Sequence, residues 1–221
     1  MKPAIAILAV FAATFAVPWV GLSKARKAWI AGRRKSSTGH CGAVFAVLLL
    51  RRAGGKQLRV VEGGRLFYEK FAVSVREIRL SRAVHGGRHL SALAWAALQA
   101  GMALEHEVRS RPMARLTSWH CAMRVLVNIL PLLVLLLLFR PASWRVAPLL
   151  VLPCLFIAAM QILTFPAVRA AAATAREIVH THQLLPPEEM EEFNGALKGA
   201  AERHLAAPLL DCFWLAWMLR F

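Results

Sequence analysis

Residues 92–106 read Ala-Leu-Ala-Trp-Ala-Ala-Leu-Gln-Ala-Gly-Met-Ala-Leu-Glu-His. The stretch sits inside a predicted helix over about 89–109. Gly86-Gly87 sets it off from what precedes, and Arg109-Ser-Arg-Pro112 ends it. Leu98 and Met102 lie four residues apart, so both occupy one face of that helix, with Gln99 beside them. What stands at these three positions decides whether the chain is read as an enzyme or as something built on an enzyme's scaffold.

The 221-residue chain is 58% hydrophobic with a mean hydropathy of +0.50, too apolar for an ordinary soluble domain, so lipid must solvate part of it. Its net charge is +16. A membrane protein with that balance places its Lys and Arg on the cytoplasmic side. No nucleic-acid motif accompanies the charge, so nucleic acid is a poor partner and anionic lipid headgroups are the simpler one. The cysteines, Cys41, Cys121, Cys154 and Cys212, are scattered without a Cys-x-x-Cys, which speaks for free thiols rather than a disulfide framework or metal site.

Upstream of the helix, residues 3–22 carry no charge and match the span of a bilayer core. The rival reading is a cleaved signal peptide, begun by Lys2. The basic collar that follows at once (Lys24, Arg26, Lys27, Arg33, Arg34, Lys35) favours a retained anchor with its N-terminus outside. Ser36-Ser-Thr-Gly39 is a plausible helix start, and the apolar segment 43–50 stops at Arg51-Arg52-Ala-Gly-Gly. Between residues 58 and 80 the pattern shortens, with a Gly63-Gly64 turn and an alternation at Val73 and Val75 that slips before Ile78 and Leu80. It predicts short antiparallel strands.

Downstream, residues 121–139 and 146–165 form a predicted transmembrane hairpin around Arg140-Pro-Ala-Ser-Trp-Arg145, with Pro148 and Pro153 allowing a kink. After Pro166 an alanine-rich helix follows, and Pro186-Pro-Glu-Glu starts an acidic one, where carboxylates favour the helix N-terminus. Residues 205–221 either span the membrane or lie in its interface. The expectation is a mainly α, polytopic membrane protein with three or four transmembrane helices and a small α+β cytoplasmic portion. It divides into an anchor (1–22), a cytoplasmic region (23–120), a hairpin (121–165) and a C-terminal helical region (166–221).

The order and spacing of these pieces resemble the bacterial membrane-bound neutral zinc metallopeptidase family. The likeness runs through the anchor and collar, the Ser36-Ser-Thr-Gly39 stretch, the Gly-Gly break and the strand ending Arg79-Leu80-Ser81. It continues through Val84-His-Gly-Gly-Arg88, the helix 96–106, and Gln161-Ile-Leu-Thr-Phe-Pro166. The family's helix reads Ala-x-His-Glu-x-Gly-His-Ala-x-x-His. By that resemblance the first zinc histidine falls on Leu98, the catalytic glutamate on Gln99 and the second histidine on Met102, while Gly101, Ala103 and His106 are kept. A further expected ligand, a glutamate after Phe165-Pro166, falls on Val168. An acidic-histidine segment expected before the strand falls near Tyr68-Glu69-Lys70, without its pattern. The resemblance implies a location in the bacterial cytoplasmic membrane.

These replacements remove the chemistry. Zinc takes imidazole, thiolate or carboxylate donors, and leucine and valine have no lone pair to offer. A thioether suits copper(I) rather than zinc, and glutamine cannot accept a proton from an attacking water. No cofactor is expected. His106, His180 and His182 are the remaining candidates for a relocated metal site, although their spacing matches no known ligand set; His85 and His89 straddle the Gly-Gly turn. Three functions are thus open. The chain is a catalytically inactive relative serving as a binding or scaffold subunit with a protein partner, an active membrane metallohydrolase with relocated ligands, or a basic module that recruits anionic lipid or nucleic acid.

Overall fold

The computed structural model describes residues 2–55, 58–63, 70–72, 75–108, 125–129 and 147–203. Two compact units emerge. One comprises Met1–Ser23, Ser118–Phe165 and Arg203–Phe221; the other comprises Lys24–Thr117 and Pro166–Glu202. The fold is mainly helical with one small sheet.

Helix α1 (Lys2–Ala31) runs unbroken for 30 residues, so the apolar stretch 3–22 and the start of the basic collar share one helix. Helix α2 (Gly42–Arg52) begins later than Ser36-Ser-Thr-Gly39 suggests. Its N-cap is Cys41, which gives no side-chain cap, and the two serines are used elsewhere. The Gly-Gly break is real: Gly54 has φ +69°, and the N–H groups of Ala53 and Gly55 close onto the Leu49 and Leu50 carbonyls.

Strands β1 (Arg59–Gly63), β2 (Lys70–Ala72) and β3 (Glu77–Ser81) form a sheet of order β1-β3-β2. The expectation of antiparallel strands holds for β2 and β3 but not for β1, which pairs with β3 in parallel, Arg59 opposite Glu77 through Gly63 opposite Ser81. Strand β2 is the return leg of that connection, so β3 enters the sheet in the direction of β1 and lies between the other two. The slip in the alternation after Val75 is the β2–β3 turn, where Arg76 takes φ 50°. Ile78 and Leu80 are fully buried on the core face of β3.

The short helix α3 (Arg82–His85) leads through Gly86-Gly87 to α4 (Leu90–Val108), the predicted central helix. Every residue of α4 from Leu90 to Leu104 is buried. A helix apolar on all sides is stable only when surrounded, and α2, the sheet and α3 all pack on it. Helix α5 (Ala147–Thr181) runs for 35 residues through Pro148, Pro153 and Pro166. The sequence separates a membrane segment ending at 165 from a later alanine-rich helix; the chain passes from one unit to the other at that point, inside this helix. Helix α6 (Pro187–Arg203) starts as expected, with Glu188 and Glu189 in its first turn.

One described helical stretch, Leu152–Thr181, is long and apolar enough to cross a membrane. Residues 125–129 are helical. The rest of the 121–139 expectation, the 205–221 segment, Tyr68-Glu69, Cys121 and Cys212 lie outside the described residues. Cys41 is a free thiol, and Cys154 is buried within α5.

Candidate functional site

The site is a helix start, a helix crossing and the side chains held between them. Helix α4 is fixed at its first turn by His89, whose Nδ1 accepts the Ala92 N–H at 3.1 Å. The ring packs edge-on against Trp29 of α1, centroids 4.8 Å apart, and Trp29 in turn packs on Trp95 at 4.6 Å. The Ser91 hydroxyl lies 2.7 Å from the Gly32 carbonyl and 3.0 Å from His89 Nδ1. Burial disfavours the imidazolium, and the Arg33 charge adds to this, so the His89 pKa lies below its ordinary value. A neutral ring suits the bond from Ala92, because Nδ1 must keep its lone pair to accept it.

Gly101 sets the crossing of α4 and α5. A Cβ there would lie 2.2 Å from the Ala171 carbonyl oxygen and 3.2 Å from the Ala175 Cβ, so only glycine permits the approach. One turn further on, the Thr174 hydroxyl donates to the Glu105 carboxylate at 2.6 Å. The two helices therefore advance side by side, 101 beside 171 and 105 beside 174. Val168 lies one turn before Ala171 on the same face of α5.

The four positions that the resemblance assigns to the metal site all lie in this packed interior. Relative exposures are 4% for Leu98, 6% for Gln99, 7% for Met102 and 0% for Val168. Leu98, Met102, Val168, Ala171 and Ala175 belong to one apolar cluster. The Gln99 Oε1 is buried without a hydrogen-bond partner, a condition that costs about 1–3 kcal/mol. Between Ala92 and Leu104 it is the one polar side chain on the helix.

The alternative metal candidates sit apart in character. The His106 ring packs on Phe71 of β2, centroids 5.7 Å apart, and its buried Nδ1 has no partner. His180 and His182 are exposed, one on the last turn of α5 and the other just past it. His180 lies six residues beyond Thr174, about 9 Å along the helix axis. Among the described residues, no group of three or more His, Cys, Asp or Glu side chains comes together.

One polar contact escaped the sequence altogether. Glu189, 4% exposed, accepts the Ser36 hydroxyl at Oε2 and the Ser37 N–H at Oε1, both at 2.8 Å. Burial raises its pKa. The Ser37 N–H, the Ser36 and Ser37 side chains and the Arg34 charge outweigh that, and the carboxyl titrates below its ordinary value. The Ser-Ser pair is thus a clasp for the first turn of α6. Nothing in the local spacing joins residues 36 and 189, so no sequence signal could have found it.

A family model described as "Putative neutral zinc metallopeptidase" matches residues 4–221. No curated protein and no solved structure matches the chain. The family description implies zinc, and the donor set does not fit it. Leu98 and Val168 have no lone pair, the Met102 thioether is a soft donor, and Gln99 cannot serve as a base. Leu98, Met102 and Val168 are instead buried in one apolar cluster. With nearly its whole length matched, the chain belongs to the neutral zinc metallopeptidase family.

Proposed function

We propose that this protein is a catalytically inactive member of its family, retained as a binding or scaffold subunit of a membrane complex. The observation that carries this reading is the burial of Leu98, Met102 and Val168 in the interior that also holds the α4–α5 crossing. A peptidase site needs donors, a general base and room for substrate and water. Here the space is taken by side chains whose removal would leave a cavity, a loss worth about 2–5 kcal/mol for a large residue cut to alanine. The positions have become part of what holds the fold.

A polytopic arrangement in the bacterial cytoplasmic membrane, with the sheet and α4 on the cytoplasmic side, fits the basic balance of the chain and the apolar length of α5. What remains for function is surface, offered to a protein partner rather than to a scissile bond. The test is peptidase assay of the protein purified in detergent, with and without a chelator. The proposal expects no turnover above that of the detergent blank in either condition. Hydrolysis that disappears with the chelator would overturn it.

A further inference from the structure

The exposed face of α1 changes chemistry in a fixed order. Ala9, Ala12 and Ala16 lead to Trp19 and Val20, which are 55% and 50% exposed, and then to Ser23, Lys24 and Lys27. These residues recur at helical spacing along one side, so small apolar groups, an indole and two ammonium groups follow one another up a single stripe. Helix α5 carries a similar change. Leu152, Leu155, Phe156, Ile162 and Leu163 are exposed on one side, and from residue 169 onward the exposed positions include Arg176, Glu177 and His180. Each change falls where the chain passes between its two compact units, at Ser23 and Lys24 in α1 and at Phe165 and Pro166 in α5.

Exposed leucine, isoleucine and phenylalanine at this density are unfavourable in water but not in acyl chains. Tryptophan prefers the headgroup level, and lysine at a helix exit reaches the phosphates beyond it. We infer that the Trp19, Lys24 and Lys27 stripe of α1 is a contact site for anionic phospholipid headgroups. The inference rests on the membrane reading above and adds its chemistry. The occupant is a phospholipid whose tail lies along the alanine face and whose phosphate meets the two ammonium groups. Charge complementarity selects it: the stripe holds no carboxylate between residues 9 and 30, and the whole chain carries +16.

The test uses the full chain reconstituted in bilayers containing a small, equal fraction of either brominated phosphatidylglycerol or brominated phosphatidylcholine. Bromine on the acyl chain quenches nearby indole emission. Subtracting the signal of a Trp19→Phe protein isolates the part that belongs to Trp19. The proposal expects stronger quenching of that part by the anionic lipid, with local enrichment of about fivefold per lysine, the figure for a basic side chain close to an anionic surface. The preference should vanish in Lys24→Gln/Lys27→Gln and shrink in high salt. Equal quenching by both lipids overturns the headgroup site and leaves the membrane reading standing. No quenching by either lipid removes both. A preference that survives the double substitution assigns the selectivity to other residues and overturns the inference.

Discussion

Gly101→Ala is the sharpest probe of the helix crossing. An added methyl would sit 2.2 Å from the Ala171 carbonyl oxygen, where ordinary contact begins at 3.4 Å, so one helix must give by 1.2 Å (3.4 − 2.2). The obstacle is backbone, which cannot swing aside as the end of a side chain can. Overpacking of this kind costs about 1–3 kcal/mol, and the backbone contact places it at the upper end. Alanine returns about 1 kcal/mol of helix propensity, so the net expectation is a loss of about 1–2 kcal/mol. Gly195 of α6 is the control, because a Cβ there meets nothing within 4 Å. Gly195→Ala should keep the propensity gain and raise the melting temperature. Thermal denaturation followed by circular dichroism in one detergent compares the two. A Gly101→Ala protein as stable as Gly195→Ala would refute the close approach of α4 and α5, and with it the packing of Leu98 and Val168.

Further outcomes are expected. Glu189→Gln loses at least one of the two accepted bonds and should cost about 1.5–3 kcal/mol, the range for a charge-assisted hydrogen bond; an unchanged melting temperature would argue against the clasp. The Glu189 pKa is lowered on folding, so its stabilising contribution is complete above 4.5 and is lost as pH falls through the lower native value. The wild-type melting curve should show this limb and Glu189→Gln should lack it. The His89 pKa is also lowered, so the unfolded chain takes up a proton below 6.5 before the native state does. Stability should fall with pH from that point, and His89→Ala should flatten this stretch of the profile. Finally, Leu98→His/Gln99→Glu/Met102→His/Val168→Glu installs the donors that the family resemblance places at these positions. Without metal it should be strongly destabilised, since Val168 is 0% exposed and a carboxylate there is costly to bury. Zinc at about a hundredfold excess over its dissociation constant should return about 2.7 kcal/mol. A folded variant indifferent to zinc would show that these positions no longer share one site.

Helical periodicity and glycine pairs made α2, α4 and α6 legible, because each has an apolar face or interior bounded by Gly-Gly, Pro-Pro or a basic pair. What was legible at the candidate site was residue type: Leu98 and Val168 bring no donor atom, whatever the coordinates, and the structure adds that both are buried. The direction of β1 was not legible, since alternation sets faces and does not say which neighbour a strand chooses. Pro166 was legible as a division of the chain, since the compact units change there. That the helix runs on through it was not, because a proline usually marks a helix end, whereas the residues after it, Val168, Ala171 and Ala175, are held in the core. The Glu189 clasp is a tertiary fact, set by segments about 150 residues apart that meet only after folding; the His89 cap is local, but the Trp29 packing that holds its ring is not.

Zinc content of the wild-type protein tests the central claim most directly. The chain, purified in detergent, equilibrated with excess zinc and then freed of unbound ion, goes to elemental analysis. With leucine, methionine and valine where donors should stand, the bound zinc should fall far below one equivalent. One zinc per chain, lost when Met102 or His106 is changed to alanine, would contradict the account.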